Sequence, residues 1–383
     1  MTPTASATPL LDRLTPLPAP RRRSRWLPWI IGGLLGVMLD AFAIYFDTLD
    51  LLPPWLGVFF AGLFAGVVLH ESGHLAAGIF AGFDFYQIVF GPFMISKEAR
   101  GFKFRFLPRR ILYIAGMTMM IPRTTQDLRR GFGLFAAGGP VMTALLFLPI
   151  LLLPWGWLAS SLLVANVVLA FFSWIPMTIG GAHTDGKILR TLRATGPAAD
   201  RFAAILYVMA VDNLGVEPRA WPREILEPLT ADAPGREGRE YAGEAAVLLY
   251  IHAFDCGDPD AMAAALERVL SNAGRLRPDL LRAYQAEAAF FLGVYRKDAE
   301  RARSWLADAR KTRRAASLPD WDASAMAAVA LAEGNPEEAQ KQISRAIARL
   351  DRQPGAHGGV VSRKRRLIGL AASIAEGAAT AGA

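Results

Sequence analysis

The first half of the chain is dominated by long apolar runs, whereas the second half is alanine-rich and charged with a helical pattern. A helix needs about 20 apolar residues to cross a hydrocarbon core of roughly 30 Å. Four runs reach that length, at residues 26–46, 54–82, 131–154 and 157–176. The pattern predicts a mainly α protein, in which a multi-spanning membrane core of about four helices precedes a soluble all-α domain.

The first run, Trp26 to Phe46, has a competing interpretation as a signal peptide. Its basic lead-in fits a signal peptide, and Ala41-Phe42-Ala43 resembles a cleavage site. The apolar stretch is longer than a signal peptide needs, and Asp40 lies inside it. We therefore interpret the run as a retained membrane span.

Between the second and third runs, the helical pattern gives way to short aromatic and β-branched pieces. Phe102, Phe104 and Phe106 alternate with Lys103 and Arg105, which is the two-residue period of a strand. Because open strand edges are not tolerated in lipid, residues 84–106 predict a small β-hairpin at the membrane interface or against protein. We interpret residues 111–130 as a connector.

The second half predicts helices joined in pairs. A helix is expected from Pro197 to about Val211, and a Pro-rich linker follows at residues 217–234. Gly257, Gly293 and Gly334 then each precede a helix, and successive glycines are 36 and 41 residues apart. This spacing is near that of helix-hairpin repeats, so the tract resembles a degenerate tetratricopeptide-type array; an ordinary helical bundle is the alternative.

These patterns predict four segments along the chain. They are a disordered basic tail (1–25), a membrane-embedded core (26–195), a helix with a Pro-rich linker (196–234) and a soluble helical-repeat domain (235–383).

The formal net charge of +8 is best explained by membrane orientation. The tightest cluster, Arg21 to Arg25, directly precedes the first run, and positive residues beside a span tend to stay in the cytoplasm. Four spans predict a multi-pass membrane protein whose N-terminus and C-terminal domain are both cytoplasmic. The chain has no basic stripe with interleaved aromatics, so we expect the lipid bilayer as a partner and no nucleic acid.

The second run contains a candidate metal site, His70-Glu71-Ser72-Gly73-His74. Residues four apart lie on one face of a helix, so His70 and His74 can direct imidazole nitrogens at one ion. Glu71 beside them can take a proton from a metal-bound water as a general base. Random order would produce His-acid-x-x-His only about 0.006 times in a chain of this composition.

A catalytic zinc site also needs a third protein ligand and one open position. Asp185 and His183 are both candidates, because they follow the fourth run on the same predicted side as the histidines. Gly186 would let the backbone turn tightly beside the metal.

At this point the chain resembles the site-2 protease group of intramembrane zinc metalloproteases. The resemblance covers about residues 54–190 and rests on the His-Glu-x-x-His motif, on Gly139-Pro140, and on Asp185-Gly186 after Ile175-Pro176. It implies one zinc ion per chain held by His70, His74 and Asp185. It also implies that the predicted hairpin presents an extended substrate by strand addition.

Four further residues are candidates for substrate binding: Gly139, Pro140, Thr143 and Ser173. Members of the group often carry Asn where this chain has Thr143 and Ser173. We expect these exchanges to affect how the substrate backbone or oxyanion is held, without affecting the metal.

The sequence therefore predicts a zinc endopeptidase that cleaves membrane-spanning or membrane-proximal protein substrates near the cytoplasmic face. The helical-repeat domain would recruit or gate a protein partner. The alternative is a catalytically weak, protease-like scaffold that binds clients through its repeats. A transporter is less favoured, because transport sites tend to recur in paired halves and this chain shows one such site.

Overall fold

The computed structural model describes residue 11 and residues 52–98, 101–108, 116–179, 182–231, 241–274, 276–311, 319–353 and 357–381. The chain divides into two compact units, one of Arg22–Thr195 and one of Gly196–Ala383 together with Met1–Arg21. The first predicted span, Trp26 to Phe46, lies outside the described residues, as does Asp40.

Three helices of the first unit correspond to the other apolar runs: α1 (Leu52–Phe80), α2 (Leu128–Leu151) and α3 (Trp157–Trp174). Each contains a stretch long and apolar enough to cross a membrane. Large apolar side chains such as Phe60, Leu148 and Phe171 remain exposed on their outer surfaces. A helix that is apolar on all sides is typical of a membrane span, so this unit is compatible with a membrane protein.

Helix α1 packs against both α2 and α3. Near its start, Trp55 and Phe59 are buried against Ala165 and Val168 of α3. The Trp55 indole donates a hydrogen bond to the Ser160 hydroxyl at 3.3 Å. These contacts hold the N-terminal part of α1 against α3. In the C-terminal half of α1, Gly73 lies against Gly138 of α2.

The predicted hairpin is part of a larger sheet. Strands β1 (Phe83–Phe90), β2 (Phe93–Glu98), β3 (Gly101–Phe106) and β4 (Gly116–Pro122) form an antiparallel sheet in the order β3-β2-β1-β4. The expectation of a simple hairpin was incomplete, because β4 comes from the segment interpreted as a connector. Its sequence, Gly-Met-Thr-Met-Met-Ile-Pro, lacks apolar alternation, and pairing with β1 supplies its strand conformation.

A pair of short antiparallel strands and a short helix follow α3. Strands β5 (Thr178–Ile179) and β6 (Ala182–His183) lead into α4 (Asp185–Arg193), whose N-cap Thr184 accepts a hydrogen bond from the Lys187 amide. Arg129, in the first turn of α2, donates to the carbonyls of Leu192 and Ala194. These bonds attach the C-terminal end of α4 to the start of α2.

The second unit is helical in all its described regular elements. Its helices are α5 (Pro197–Asp212), α6 (Arg223–Thr230), α7 (Ala242–Cys256), α8 (Pro259–Ser271), α9 (Pro278–Phe291), α10 (Ala299–Lys311), α11 (Pro319–Ala332), α12 (Pro336–Leu350) and α13 (Gly358–Ala381). Helix α6 lies inside the predicted linker and is held there by buried Ile225 and Leu229. Leu11, from the predicted disordered tail, is buried in the core of this unit.

The turns between α7 and α8, α9 and α10, and α11 and α12 share one construction. Gly257, Lys297 and Gly334 have positive φ, and each is followed by an Asp or Asn. The side chains of Asp258, Asp298 and Asn335 then accept hydrogen bonds from backbone amides of the next helix. Gly293 has a different role, because a Cβ there would lie 2.4 Å from the Ala328 carbonyl oxygen. The repeat character remains a prediction.

Candidate metal centre

His70, Glu71 and His74 lie in the second half of α1, and each is only 5% exposed. The helix places the two imidazoles one turn apart on one face. Their Nε2 atoms are 3.2 Å from each other. A polar cluster therefore lies within one of the most apolar helices of the chain.

Asp185 completes this cluster from the first turn of α4. Its two carboxylate oxygens lie 3.2 Å from Nε2 of His70 and 3.3 Å from Nε2 of His74. Gly186 permits this approach, since a Cβ at that position would lie 1.9 Å from the Trp174 carbonyl oxygen. The other candidate ligand, His183, hydrogen-bonds through Nδ1 to the Thr178 hydroxyl at 2.9 Å.

Hydrogen bonds on the far side of each ring determine which nitrogens point at Asp185. Nδ1 of His74 lies 2.8 Å from the Phe135 carbonyl oxygen, which can only accept, so this nitrogen carries the proton. Nδ1 of His70 lies 2.8 Å from the Thr143 hydroxyl, which itself donates to the Gly139 carbonyl at 3.1 Å. The hydroxyl thus accepts from His70, and both Nε2 lone pairs face the carboxylate.

The arrangement fits a divalent cation. Ligands at about 2.0 to 2.1 Å from a tetrahedral zinc lie roughly 3.3 Å from one another, close to the spacings between these donor atoms. Two imidazoles and one carboxylate form a donor set that suits zinc.

Glu71 lies beside this group. One of its carboxylate oxygens and one nitrogen of each histidine lie within 4.8 Å of one another. Its Oε2 accepts a hydrogen bond of 2.7 Å from the Thr118 hydroxyl on β4. A carboxylate so placed can exchange protons with a small molecule bound next to the histidines.

Two of the predicted substrate residues, Gly139 and Thr143, line the histidines. A Cβ on Gly139 would lie 2.4 Å from Nε2 of His74 and 2.5 Å from that of His70, so the absence of a side chain makes room for both rings. Thr143 is fully buried and bonded to His70. The expectation that an exchange at Thr143 does not affect the metal remains a prediction, but this side chain contacts a proposed ligand.

Ser173 and Pro140 lie where the end of α3 meets α2. The Ser173 hydroxyl is buried and donates to the Ala170 carbonyl at 3.4 Å. The Trp174 indole donates to the Pro140 carbonyl at 3.3 Å. The Ser173 bond lies within α3, whereas the Trp174 bond helps to hold the end of α3 against α2.

Sequence reasoning missed several residues that build the site. Thr118 bonds Glu71, the Phe135 carbonyl bonds His74, and the Asn166 amide donates to the Thr143 carbonyl at 3.2 Å. A backbone carbonyl and a threonine in a weak strand carry no signal in a single sequence. The doublet Gly138-Gly139 was a usable signal, since adjacent glycines in an apolar helix indicate close packing.

Comparison of the chain with protein-family models, curated proteins and solved structures found no match.

Proposed function

We propose that the protein is an intramembrane zinc metalloprotease of the site-2 protease type. The observation that supports this best is the meeting of His70, His74, Asp185 and Glu71 inside a bundle of membrane-length helices. Ionisable groups are costly in such surroundings and are usually functional there. The substrates would be membrane-spanning or membrane-proximal proteins, cleaved near the cytoplasmic face.

In this proposal each residue has a distinct task. His70, His74 and Asp185 would hold one zinc ion, which would supply Lewis acidity towards a peptide carbonyl and towards water, so that the water could lose a proton near neutral pH. Glu71 accepts that proton and returns it to the leaving amine. Thr143 and the Phe135 carbonyl keep both imidazoles in the tautomer that ligation requires.

The proposal also assigns the substrate a place. An unfolded segment could add to an outer strand of the sheet, since backbone pairing accepts many sequences. The outer strands are β3 and β4, and β4 contacts Glu71. We therefore assign addition of the substrate strand to β4, whereas the sequence analysis assigned it to the predicted hairpin at residues 84–106.

The test compares membranes that contain the native chain with membranes that contain Glu71→Gln. Native membranes should accumulate cleaved fragments of membrane proteins that are absent with Glu71→Gln, while both purified proteins hold about one zinc per chain. Glu98→Gln is a matched control, because Glu98 is an exposed residue of β2 that pairs with Lys103 and Arg105. Fragments that persist unchanged with Glu71→Gln, or purified native protein without zinc, would overturn the proposal.

The Glu71→Gln variant, together with a deletion, also tests the scaffold alternative. A scaffold would retain its cellular effect in the Glu71→Gln form and lose it when residues 235–350 are deleted. A protease would lose its effect with Glu71→Gln.

A further inference from the structure

Strand β4 runs along α1 with one face turned to the helix. Gly116, Thr118 and Met120 alternate along the strand and therefore share that face. A Cβ on Gly116 would lie 2.3 Å from both Cγ and Oε1 of Glu71, and one on Gly78 would lie 2.1 Å from Sδ of Met120. The strand thus touches α1 at two points separated by about two turns.

Thr118 makes the most specific of these contacts. Its hydroxyl is buried and lies 2.7 Å from Oε2 of Glu71 and 3.1 Å from the Glu71 backbone carbonyl oxygen. The strand is held in register by antiparallel pairing with β1, in which Thr118 lies opposite Ile88. The hydroxyl is therefore presented to Glu71 by a paired strand and not by a loose loop.

We propose that Thr118 is the positioning residue for Glu71, and that Gly116 provides the space in which the carboxylate is held. This inference rests on the proposed function. Oε2 of Glu71 is bonded to Thr118, so Oε1 is the oxygen that would accept the proton. Oε1 lies against Gly116. A glutamate has three rotatable bonds, and a proton acceptor must stay within hydrogen-bond reach of its donor.

Because β4 is also an outer strand of the sheet, it could pair with the substrate along its free edge while Thr118 contacts Glu71. A peptide that pairs with β4 would stiffen the strand carrying Thr118 and Gly116. The base would then be best aligned when substrate is present.

The test uses Thr118→Val, which removes the hydroxyl at nearly constant shape, and Thr118→Ser, which keeps it. The probe is fluorescein-labelled casein, an unfolded polypeptide, with the full-length protein in detergent. We expect Thr118→Val to lower kcat about 10- to 100-fold with little change in KM and to keep zinc at about one per chain, by analogy with other supporting residues of metal sites. Thr118→Ser should restore kcat to within about threefold, as it keeps the hydroxyl donor.

Thr230→Val is the matched control, since it makes the same exchange at an exposed threonine of the second unit, whose hydroxyl donates to the Glu227 carbonyl. Its kcat should equal that of the native protein. Equal kcat for Thr118→Val and the native protein, or an equal loss in Thr118→Ser and Thr118→Val, would overturn the inference.

A second measurement does not depend on cleavage. Infrared difference spectra of the metal-free protein should show a shifted carboxylate band in Thr118→Val, and this shift should vanish when Glu71→Gln is present in both samples. An unshifted band would overturn the inference even if the casein is not cleaved. Cleavage that persists in Glu71→Gln would instead overturn the proposed function, so the two failures are distinguishable.

Discussion

The backbone of Gly73 in α1 lies directly against that of Gly138 in α2. A Cβ on Gly73 would lie 2.4 Å from the Gly138 carbonyl oxygen, and a Cβ on Gly138 would lie 2.3 Å from the Gly73 carbonyl oxygen. Small residues at a helix crossing allow the two backbones to approach closely. This crossing brings Gly139 and Thr143 of α2 against His70 and His74 of α1.

Gly139→Ala should abolish zinc binding. Its added methyl group would overlap Nε2 of both histidines and displace the rings from Asp185. Gly133→Ala in the same helix is the control, because a Cβ there meets nothing within 4 Å. Metal analysis of the purified proteins should find about one zinc per chain in the native and Gly133→Ala forms and almost none in Gly139→Ala. Retention of zinc by Gly139→Ala would contradict this geometry.

Asp185→Ala should greatly weaken zinc binding, whereas His183→Ala should not. Asp185 contacts both Nε2 atoms, while Nδ1 of His183 bonds Thr178. Loss of one of three protein ligands should lower the affinity by well over tenfold, more than loss of a supporting residue does. Competition with a zinc chelator measures the dissociation constant for zinc in each variant. The ligand assignment would be wrong if His183→Ala had the larger effect.

Thr143→Val should weaken zinc binding by about 10- to 100-fold, because His70 loses the hydroxyl that accepts its Nδ1 proton. Thr143→Ser should bind almost as tightly as the native protein. Ser161→Ala is a control for loss of a buried hydroxyl, since Ser161 donates to the Trp55 carbonyl. It should leave zinc affinity unchanged. Similar affinities for Thr143→Val and Thr143→Ser would show that the hydroxyl has no such role.

Glu287→Ala should destabilise the helical unit by about 3 kcal/mol, since it leaves buried Arg363 with only its more distant partner, Asp320 at 3.8 Å. Glu287 is 1% exposed, pairs with Arg363 at 2.6 Å and accepts a hydrogen bond from Tyr250. Glu333→Ala removes the exposed partner of Arg303 and should cost at most about 1 kcal/mol. Amide hydrogen exchange in α9 and α13 of the full-length chain measures both effects. Equal protection in the two variants would contradict the prediction.

Tyr250 and Tyr284 should resist ionisation in the folded protein. Burial and the nearby Glu287 carboxylate raise the pKa of both phenols above the ordinary value of 10. Stability from their burial is fully present below about pH 10 and is lost as the pH rises towards the folded pKa values. Absorbance at alkaline pH should show that Tyr250 and Tyr284 ionise only when the protein unfolds. In Tyr284→Phe, the number of tyrosines that ionise with unfolding should fall by one. Prompt ionisation of all eight tyrosines would refute this.

Features that follow local periodicity could be predicted from the sequence alone. The apolar runs at residues 54–82, 131–154 and 157–176 are membrane-length helices because their composition is apolar over the whole length. The spacing of His70 and His74 brings their Nε2 atoms together because a helix returns to the same face after four residues. The ranking of Asp185 as third ligand followed from a resemblance and remains a prediction; its carboxylate lies beside both rings.

The tertiary structure decided what depends on contacts between distant segments. Strand β4 exists because β1 pairs with it, and its own residues have no strand period that predicts it. Thr143 supports His70 and Gly139 makes room for both rings only because Gly73 and Gly138 let α1 and α2 approach. A single sequence shows which side chains share a helix face, but the packing of backbones determines which face meets which.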